Sequence, residues 1–528
     1  MRRTRTREPA LADQVGTDGN YVWRFLARFA ELGSAEAIVA DPRRLSFADL
    51  RTGTLTMAAT LREHGFRSGS AVAILAGNSP EAVMLHLALH LLGCRTVWIA
   101  SAPREHQRAF LALSQVERYI YDPVTRAETG EELAGAAGPV PVFCLGPGGL
   151  GPDLVGHRPA VDPPQPGELT DEPQSLFQTS GTTGQPKLVQ HRQRLFQVLP
   201  DLAAQWLAEG RPVLRHLGVA GHWHVATQMT TLMVLSMGGT VVMLDSLDPP
   251  EFLALLERER ANSTVFSPPI LYALLDEPRL ASTDLSSLAV VTCGGGPVAP
   301  ARLAQAVDRL GPVLRIVYAM SESPGITELP VTALGPEHPE RVRSVGLPYA
   351  DVQLQIRDPQ GGELPAGQVG EVWVRSVLVM DGYWDRPELT RQALVDGWLH
   401  TGDVGYRDSD GFLYLVGRSS EVIVTGIGAT NVYPRPIEDR LVEHPEVRAA
   451  AVIGVPDPEI GEALHAFVVR APGSTVTGPE LRDHVAAGLN DVWAPREVEF
   501  MTELPLLASG KVDRAALRAS YAPAPTGA

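Results

Sequence analysis

Apolar and polar positions along this 528-residue chain fall into short apolar runs separated by longer helical stretches. "AVAILAG" (Ala71–Gly77) has strand length and no polar side chain, as a strand buried on both faces requires. The stretch after it, "NSPEAVMLHLALHLLGC", is too long for a strand and reads as a helix, with Ser79 as N-cap and Pro80 in the first turn. "TVVML" (Thr240–Leu244), "STVFS" (Ser263–Ser267), "LAVVTCGG" (Leu288–Gly295) and "LRIVYAM" (Leu314–Met320) are further strand-length runs, with helical stretches between some of them. From about Val352 the pattern changes: "DVQLQIRDPQGGELPAGQVGEVWVRS" predicts two strands around a Gly/Pro turn, a small antiparallel unit. The Pro/Gly-rich segment 146–174 reads as a surface connection. After Gly417 comes a compact unit with "AAAVIGVPD", "ALHAFVVRA" and the helical "GPELRDHVAAGLN".

The length exceeds one ordinary core. The expected fold is therefore α/β. A large N-terminal domain (1–417) would hold layered, mostly parallel sheets with helices and a small β subdomain. A hinge at 418–421 would lead to a small mobile α+β C-terminal domain (422–528). No internal repeat or coiled-coil heptad appears.

Composition narrows the function classes. Hydrophobic residues make up 44% and charged residues 20%, ordinary for a soluble globular protein. A net charge of −16 argues against broad nucleic-acid binding but leaves room for a local basic pocket around a phosphate ligand. The three cysteines stand far apart with no CxxC pair, so neither a zinc site nor a disulfide framework follows, and the cytoplasm is the expected home. The basic start "MRRTRTREPALADQ" lacks a following apolar stretch and reads as a disordered tail. No segment reaches the roughly 20 apolar residues of a membrane span.

Lysine occurs only at Lys187 and Lys511; the other 43 of the 45 basic residues are arginine. Lys187 ends "TSGTTGQPK" (Thr179–Lys187). Glycines there let backbone N–H groups turn toward an anion, hydroxyls add donors and the lysine adds a point charge, which together make a phosphate-cradling nest. It is not a Walker A loop, since no Gly-Lys-Ser/Thr is present. The same composition also fits a plain Gly/Ser/Thr linker.

"TSGTTGQPK" resembles the phosphate-binding signature of the adenylate-forming superfamily: acyl-CoA synthetases, peptide-synthetase adenylation domains and luciferases. "GHWHVAT", "CGGGPV", "YAMSES", "GYWDRPELTRQALVDGWLHTGDVG", "GRSSEVIV" and "LPLLASGKVDR" are similar to its later motifs and follow in the same order, so the likeness spans Ser46 to Arg518. The resemblance implies that a carboxylate attacks the α-phosphate of ATP to give an acyl-adenylate and pyrophosphate. Two anions must then meet, and cationic groups with Mg²⁺ must offset their repulsion.

Roles follow residue by residue from that likeness. Thr179, Ser180, Gly181, Thr182, Thr183, Gly184 and Lys187 would hold the β,γ-phosphates. Glu322 would ligate Mg²⁺, and Ser321 would donate to the α-phosphate. Gly295, Gly296 and Pro297 would form the adenine-side turn, Tyr318 would stack on adenine, and Ala319 stands where the family has glycine. Asp403 would accept the ribose hydroxyls, and Arg418 would reach ribose or phosphates. Lys511 would enter the site on a mobile loop and contact both carboxylate and α-phosphate. A slim ammonium inserts between two anions more readily than a guanidinium fork. His222, Trp223, His224, Met229, Cys293, Gly294 and Met320 would line the acid pocket. His224 takes the gating position, where a histidine can also carry protons near neutral pH.

In the family the small domain rotates after adenylation, withdrawing the lysine and presenting a second face. Several positions depart from the family's pattern. The hinge residue is Ser420, Leu188 replaces a common glycine, and in "IVTGIGATNVYP" Val424 replaces a lysine within a loop about two residues longer than usual. Three readings therefore compete. The first is an acid–thiol ligase acting on a small or aromatic acid, with coenzyme A or a carrier-protein phosphopantetheine as acceptor. The second is an adenylate-forming enzyme without thioester chemistry, including one that activates nitrite to diazotise an aromatic amine. The third is a non-catalytic binding protein. Neither the acid nor the oligomeric state follows from the sequence.

Overall fold

The computed structural model describes residues 19–100, 102–168, 171–179, 187–335, 337–425, 430–457, 459–506 and 512–519. The basic start of the chain, read above as a tail, lies outside them, as do Ser180, Gly181, Thr182, Thr183, Gly184 and Lys511.

Four sheets form among the described residues. The largest has nine strands. Its parallel centre runs from Leu314–Met320 through Val290–Gly294, Ser263–Phe266, Arg215–Gly218 and Thr240–Met243 to Glu36–Ala40. The second, with seven strands, is parallel from Gln174–Gln178 through Arg95–Trp98, Ala71–Leu75 and Arg118–Tyr121 to Val142–Cys144. Parallel strands need both faces covered, and three helical layers cover these two sheets. The main core lies between them, where the helices Val22–Leu32, Phe47–Glu63, Pro80–Leu91 and Val225–Ser236 pack. Helix Pro80–Leu91 is buried on nearly every side, which explains its run of apolar residues. Its N-cap is as expected: the Ser79 hydroxyl accepts from the Ala82 N–H, with Pro80 in the first turn. A second core covers the outer face of the nine-stranded sheet, and a third the outer face of the seven-stranded sheet.

The change of pattern near Val352 produces the third sheet, in which Gln353–Arg357 pairs antiparallel with Gly370–Arg375, and that in turn with Trp398–Arg407. The fourth sheet takes all its strands from Ile423–Met501, with the helices Pro434–Val442 and Gly478–Gly488 on one face and Arg514–Ala519 on the other. The Pro/Gly-rich connection is not wholly superficial: Leu154 is buried, and the Leu150 N–H donates to the Tyr121 hydroxyl.

Candidate active site

Thr179 and Lys187 terminate two antiparallel strands, Gln174–Gln178 and Leu188–Arg192, so the glycine-rich segment connects a hairpin near one edge of the seven-stranded sheet. The Thr179 N–H donates to the Lys187 carbonyl at 3.1 Å, closing the base of that connection. The short strand Gly382–Tyr383 pairs with Leu188–Arg192, setting Tyr383 opposite Val189. The Lys187 ammonium then lies 5.1 Å from the centre of the Tyr383 ring, a cation–π contact. On its far side the Tyr383 hydroxyl donates to Glu322 Oε1 at 2.9 Å. Burial, then the neighbouring Glu322 charge, pushes the Tyr383 phenol well up, so it stays a donor. Lys187, Tyr383 and Glu322 thus form one chain across the mouth of the cleft.

Ser321 and Glu322 make the turn between Leu314–Met320 and Ser323–Pro330, where Met320 pairs with Ser323. That turn is fixed from both sides. The Met380 N–H donates to the Glu322 carbonyl at 2.8 Å, and His191 Nε2 lies 2.7 Å from the Ser321 carbonyl. Burial pulls His191 down to about 4, so at neutral pH it is uncharged and donates one N–H to that carbonyl. Glu322 is 8% exposed, and its second oxygen has no hydrogen-bond partner among the described residues. A nearly covered carboxylate with one free oxygen suits a hard divalent cation. No group of three or more His, Cys, Asp and Glu among the described residues could hold such an ion alone, so phosphate oxygens and water would complete its shell.

A second cluster stands beside the first. The Tyr318 hydroxyl donates to Asp403 Oδ2 at 2.5 Å, and Arg418 Nε lies 2.7 Å from Asp403 Oδ1. The register explains the ion pair, since Asp403 and Arg418 are cross-strand partners in the third sheet. The Asp403 N–H donates to the Thr401 hydroxyl, and Arg418 donates to the Thr401 carbonyl. Gly294, Gly295, Gly296, Pro297, Tyr318, Ala319, Met320 and Ser321 line the same cleft. Gly295 has φ +84°, a conformation that favours glycine, and a Cβ at Gly294 would meet the Val317 carbonyl at 2.8 Å.

The two histidines of "HWH" diverge. His222 is buried: its Nδ1 lies 3.3 Å from Asn78 Oδ1, its ring 5.3 Å from that of Trp98, and its carbonyl accepts from Gln228. Burial takes it down to about 4. His224 occupies the N-cap position of helix Val225–Ser236 and opens onto the cleft, with its proton affinity lowered by the surrounding protein. Trp223 is half-buried and lies over Gly221, where a Cβ would stand 2.1 Å from the indole. Trp223 and Met229 border the cleft.

Cys293 does not line the cleft, contrary to expectation. Strand alternation turns Thr292 and Gly294 toward the cavity and Cys293 into the core on the outer face of the sheet, where it is fully buried. The sequence reading also gave no role to Tyr383 or His191. Tyr383 lies within a recognised motif, but its link to Glu322 depends on a strand pairing between residues almost 200 positions apart.

Together the cleft measures about 3850 Å³, more than the roughly 300–1,000 Å³ of a site for one small ligand, and so has room for several reactants.

The family model described as AMP-binding enzyme matches residues 25–384, and the one described as AMP-binding enzyme C-terminal domain matches 436–511. The chain is 34% identical to the medium/long-chain-fatty-acid–CoA ligase FadD8 of Mycobacterium tuberculosis, over 87% of this chain and 82% of that protein. It is also 34% identical to a feruloyl-CoA synthase of Amycolatopsis, over 92% of this chain and 96% of that protein. Among solved structures it superimposes on the amide bond synthetase McbA from Marinactinospora thermotolerans with a TM-score of 0.84 at 34% identity, covering 95% of this chain and 100% of that one. A hairpin-borne Thr/Gly/Lys segment, a nearly covered carboxylate and a Tyr–Asp–Arg cluster at one cleft, with both family models matching in order, lead to one conclusion: this chain belongs to the AMP-binding enzyme family, the ATP-dependent ligases that form acyl-adenylates.

Proposed function

We propose that this enzyme activates a small or aromatic carboxylic acid as its acyl-adenylate and then passes the acyl group to a thiol, either of coenzyme A or of a carrier protein. The observation that carries this reading is the convergence of the Lys187–Tyr383–Glu322 chain and the Tyr318–Asp403–Arg418 cluster on one cleft. Residues 179–187 bind the departing phosphates. Glu322 holds Mg²⁺, which supplies positive charge to the phosphate oxygens. Tyr318 and Asp403 receive the nucleoside, with Arg418 fixing the Asp403 carboxylate. Gly294 and Ala319 leave room for the acid beside the α-phosphate, and His224 borders its path. Lys511 comes in from the small domain to neutralise the two anions as they meet. The domain division at 418–421 gives that motion its hinge.

The acceptor has a second reading with its own support. Val424, in the position of a family lysine, is 42% exposed, and the chain is similar throughout its length to an amide bond synthetase. Release of the acyl group to an amine, or activation of nitrite, would use the same adenylation site without a thiol. Acid-dependent exchange of labelled pyrophosphate into ATP tests adenylation directly. AMP release with coenzyme A, a phosphopantetheinyl carrier, an amine or nitrite then separates the acceptors. Thiol-stimulated release supports the first reading. Release stimulated only by amine or nitrite overturns it in favour of the second.

A further inference from the structure

Part of the inner face of the nine-stranded sheet borders the cleft instead of the helices packed between the two sheets. The register gives three successive rows of cleft-lining residues. Gly294 pairs with Val317 in the outermost row, next to the adenylation residues. Val265, Thr292 and Arg315 form the middle row, with Gly218 on the adjoining strand. His216, Ser263 and Val290 form the innermost. Gly294 and Val290 are four residues apart along one strand, so this floor extends about 13 Å inward. The facing walls are mixed: Leu202, Trp206, Leu214, Met229 and Met233 border the same cavity, together with Asp201, Gln205 and the paired Glu209 and Arg211.

The inner end is polar. His216 is only 4% exposed, and its Nδ1 lies 3.1 Å from the Ser263 hydroxyl. Its Nε2 has no hydrogen-bond partner among the described residues. Gly218 leaves that ring edge uncovered: a Cβ there would meet only His216 Cδ2 and Nε2, at 3.6 and 3.7 Å. Arg315, one row nearer the adenylation residues, lines the same cavity, but Glu328 pairs with it at 2.7 Å and offsets its charge. Burial takes His216 down to about 4, so the ring is neutral and can donate or accept.

From this geometry we propose that the acid activated here is elongated, with an apolar ring-sized body and a neutral hydrogen-bonding group, hydroxyl or amino, at the end remote from the carboxylate, where His216 receives it. The inference rests on the adenylation reading and names the substrate class of that site. A second carboxylate at the far end is disfavoured, because both arginines lining the cavity there already have carboxylate partners, Arg315 in Glu328 and Arg211 in Glu209. A plain alkyl tail would leave the His216 Nε2 buried without a partner.

The test is pyrophosphate exchange by the full-length enzyme with propionic, octanoic, cinnamic and 4-hydroxycinnamic acids. The expected order places 4-hydroxycinnamic acid at least about ten-fold above cinnamic acid in kcat/KM, the size of one hydrogen bond to a buried group. His216→Phe should bring those two acids to within about two-fold of each other. Gly218→Leu fills the floor from an open position. It should cut both cinnamic acids at least about ten-fold and leave propionic acid and the KM for ATP within about two-fold. The proposal is overturned if octanoic acid is the best substrate. It is equally overturned if Gly218→Leu leaves the order of acids unchanged while the variant keeps its ATP KM. Exchange with none of the acids, nor with a wider panel, would instead remove the adenylation reading beneath it.

Discussion

At the scale of single residues, Tyr383 joins a cation to an anion. Its ring faces Lys187 and its hydroxyl bonds to Glu322, so one side chain spaces the lysine proposed to bind phosphate from the carboxylate proposed to hold Mg²⁺. Tyr383→Phe keeps the ring contact and removes only the hydrogen bond. The expected result is a rise of about five- to ten-fold in the Mg²⁺ concentration needed for half-maximal exchange, with a nearly unchanged melting temperature. Lys511→Ala should act differently, because in the proposed mechanism its charge is needed only as the two anions meet. Exchange should fall by about 10²–10³-fold while ATP affinity, read by calorimetry, stays within a few-fold. Normal exchange by that variant would contradict the role assigned to Lys511. Lys187 and Glu322 were identifiable as separate motif residues. Tyr383 and His191 were not given roles, because what makes them matter is a long-range strand pairing and a carbonyl, neither of which leaves a mark on side-chain type.

At the scale of elements, apolar run length gave the central strands well: Ala71–Leu75, Thr240–Met243, Ser263–Phe266, Val290–Gly294 and Leu314–Met320 all form. Which face of a strand meets the cavity was harder to read. A run of apolar residues hides its own alternation, so Cys293 looked as eligible for the pocket wall as Thr292. The pairing of Glu36–Ala40 with Thr240–Met243 was also hidden, since nothing local connects residues so far apart in the chain. The turn before helix Val225–Ser236 gives an element-scale prediction. Trp223 lies against the bare face of Gly221, so Gly221→Ala must move the indole. The KM for the acid should rise several-fold, with the KM for ATP unchanged, as measured by exchange kinetics at saturating levels of the other substrate. Equal shifts in both constants would place Trp223 outside the acid pocket.

At the scale of the whole molecule, its buried histidines set a limit in acid. Burial depresses His90 to about 3 and His191, His216 and His222 to about 4. In the unfolded chain each titrates near its ordinary value of about 6.5. Between roughly pH 6.5 and pH 4 the unfolded state therefore binds more protons than the folded one, and stability falls as the pH falls. Each group contributes about 1 kcal/mol per pH unit there, so the four together would remove several kcal/mol by pH 5, a large share of a typical total of about 5–15. Urea unfolding at pH 7.5 and pH 5.0 should show a clear drop in midpoint. An unchanged midpoint would mean that these histidines are solvated. Glu443 and Arg343 form an ion pair between the third-sheet side of the chain and the fourth-sheet unit, and such a partly exposed contact is weak enough to break during the proposed rotation.

The three cysteines have a practical consequence at this last scale. Cys94, Cys144 and Cys293 are all buried, and burial pushes the thiols of Cys94 and Cys293 up to about 12. The native enzyme should accordingly be inert to maleimides and release its three thiols only in denaturant. One cysteine introduced on the outer surface of each domain would then accept a fluorophore without competition from the native three. Energy transfer between two such dyes would test the proposed swing of the lid, one molecule at a time, as acid and nucleotide are added.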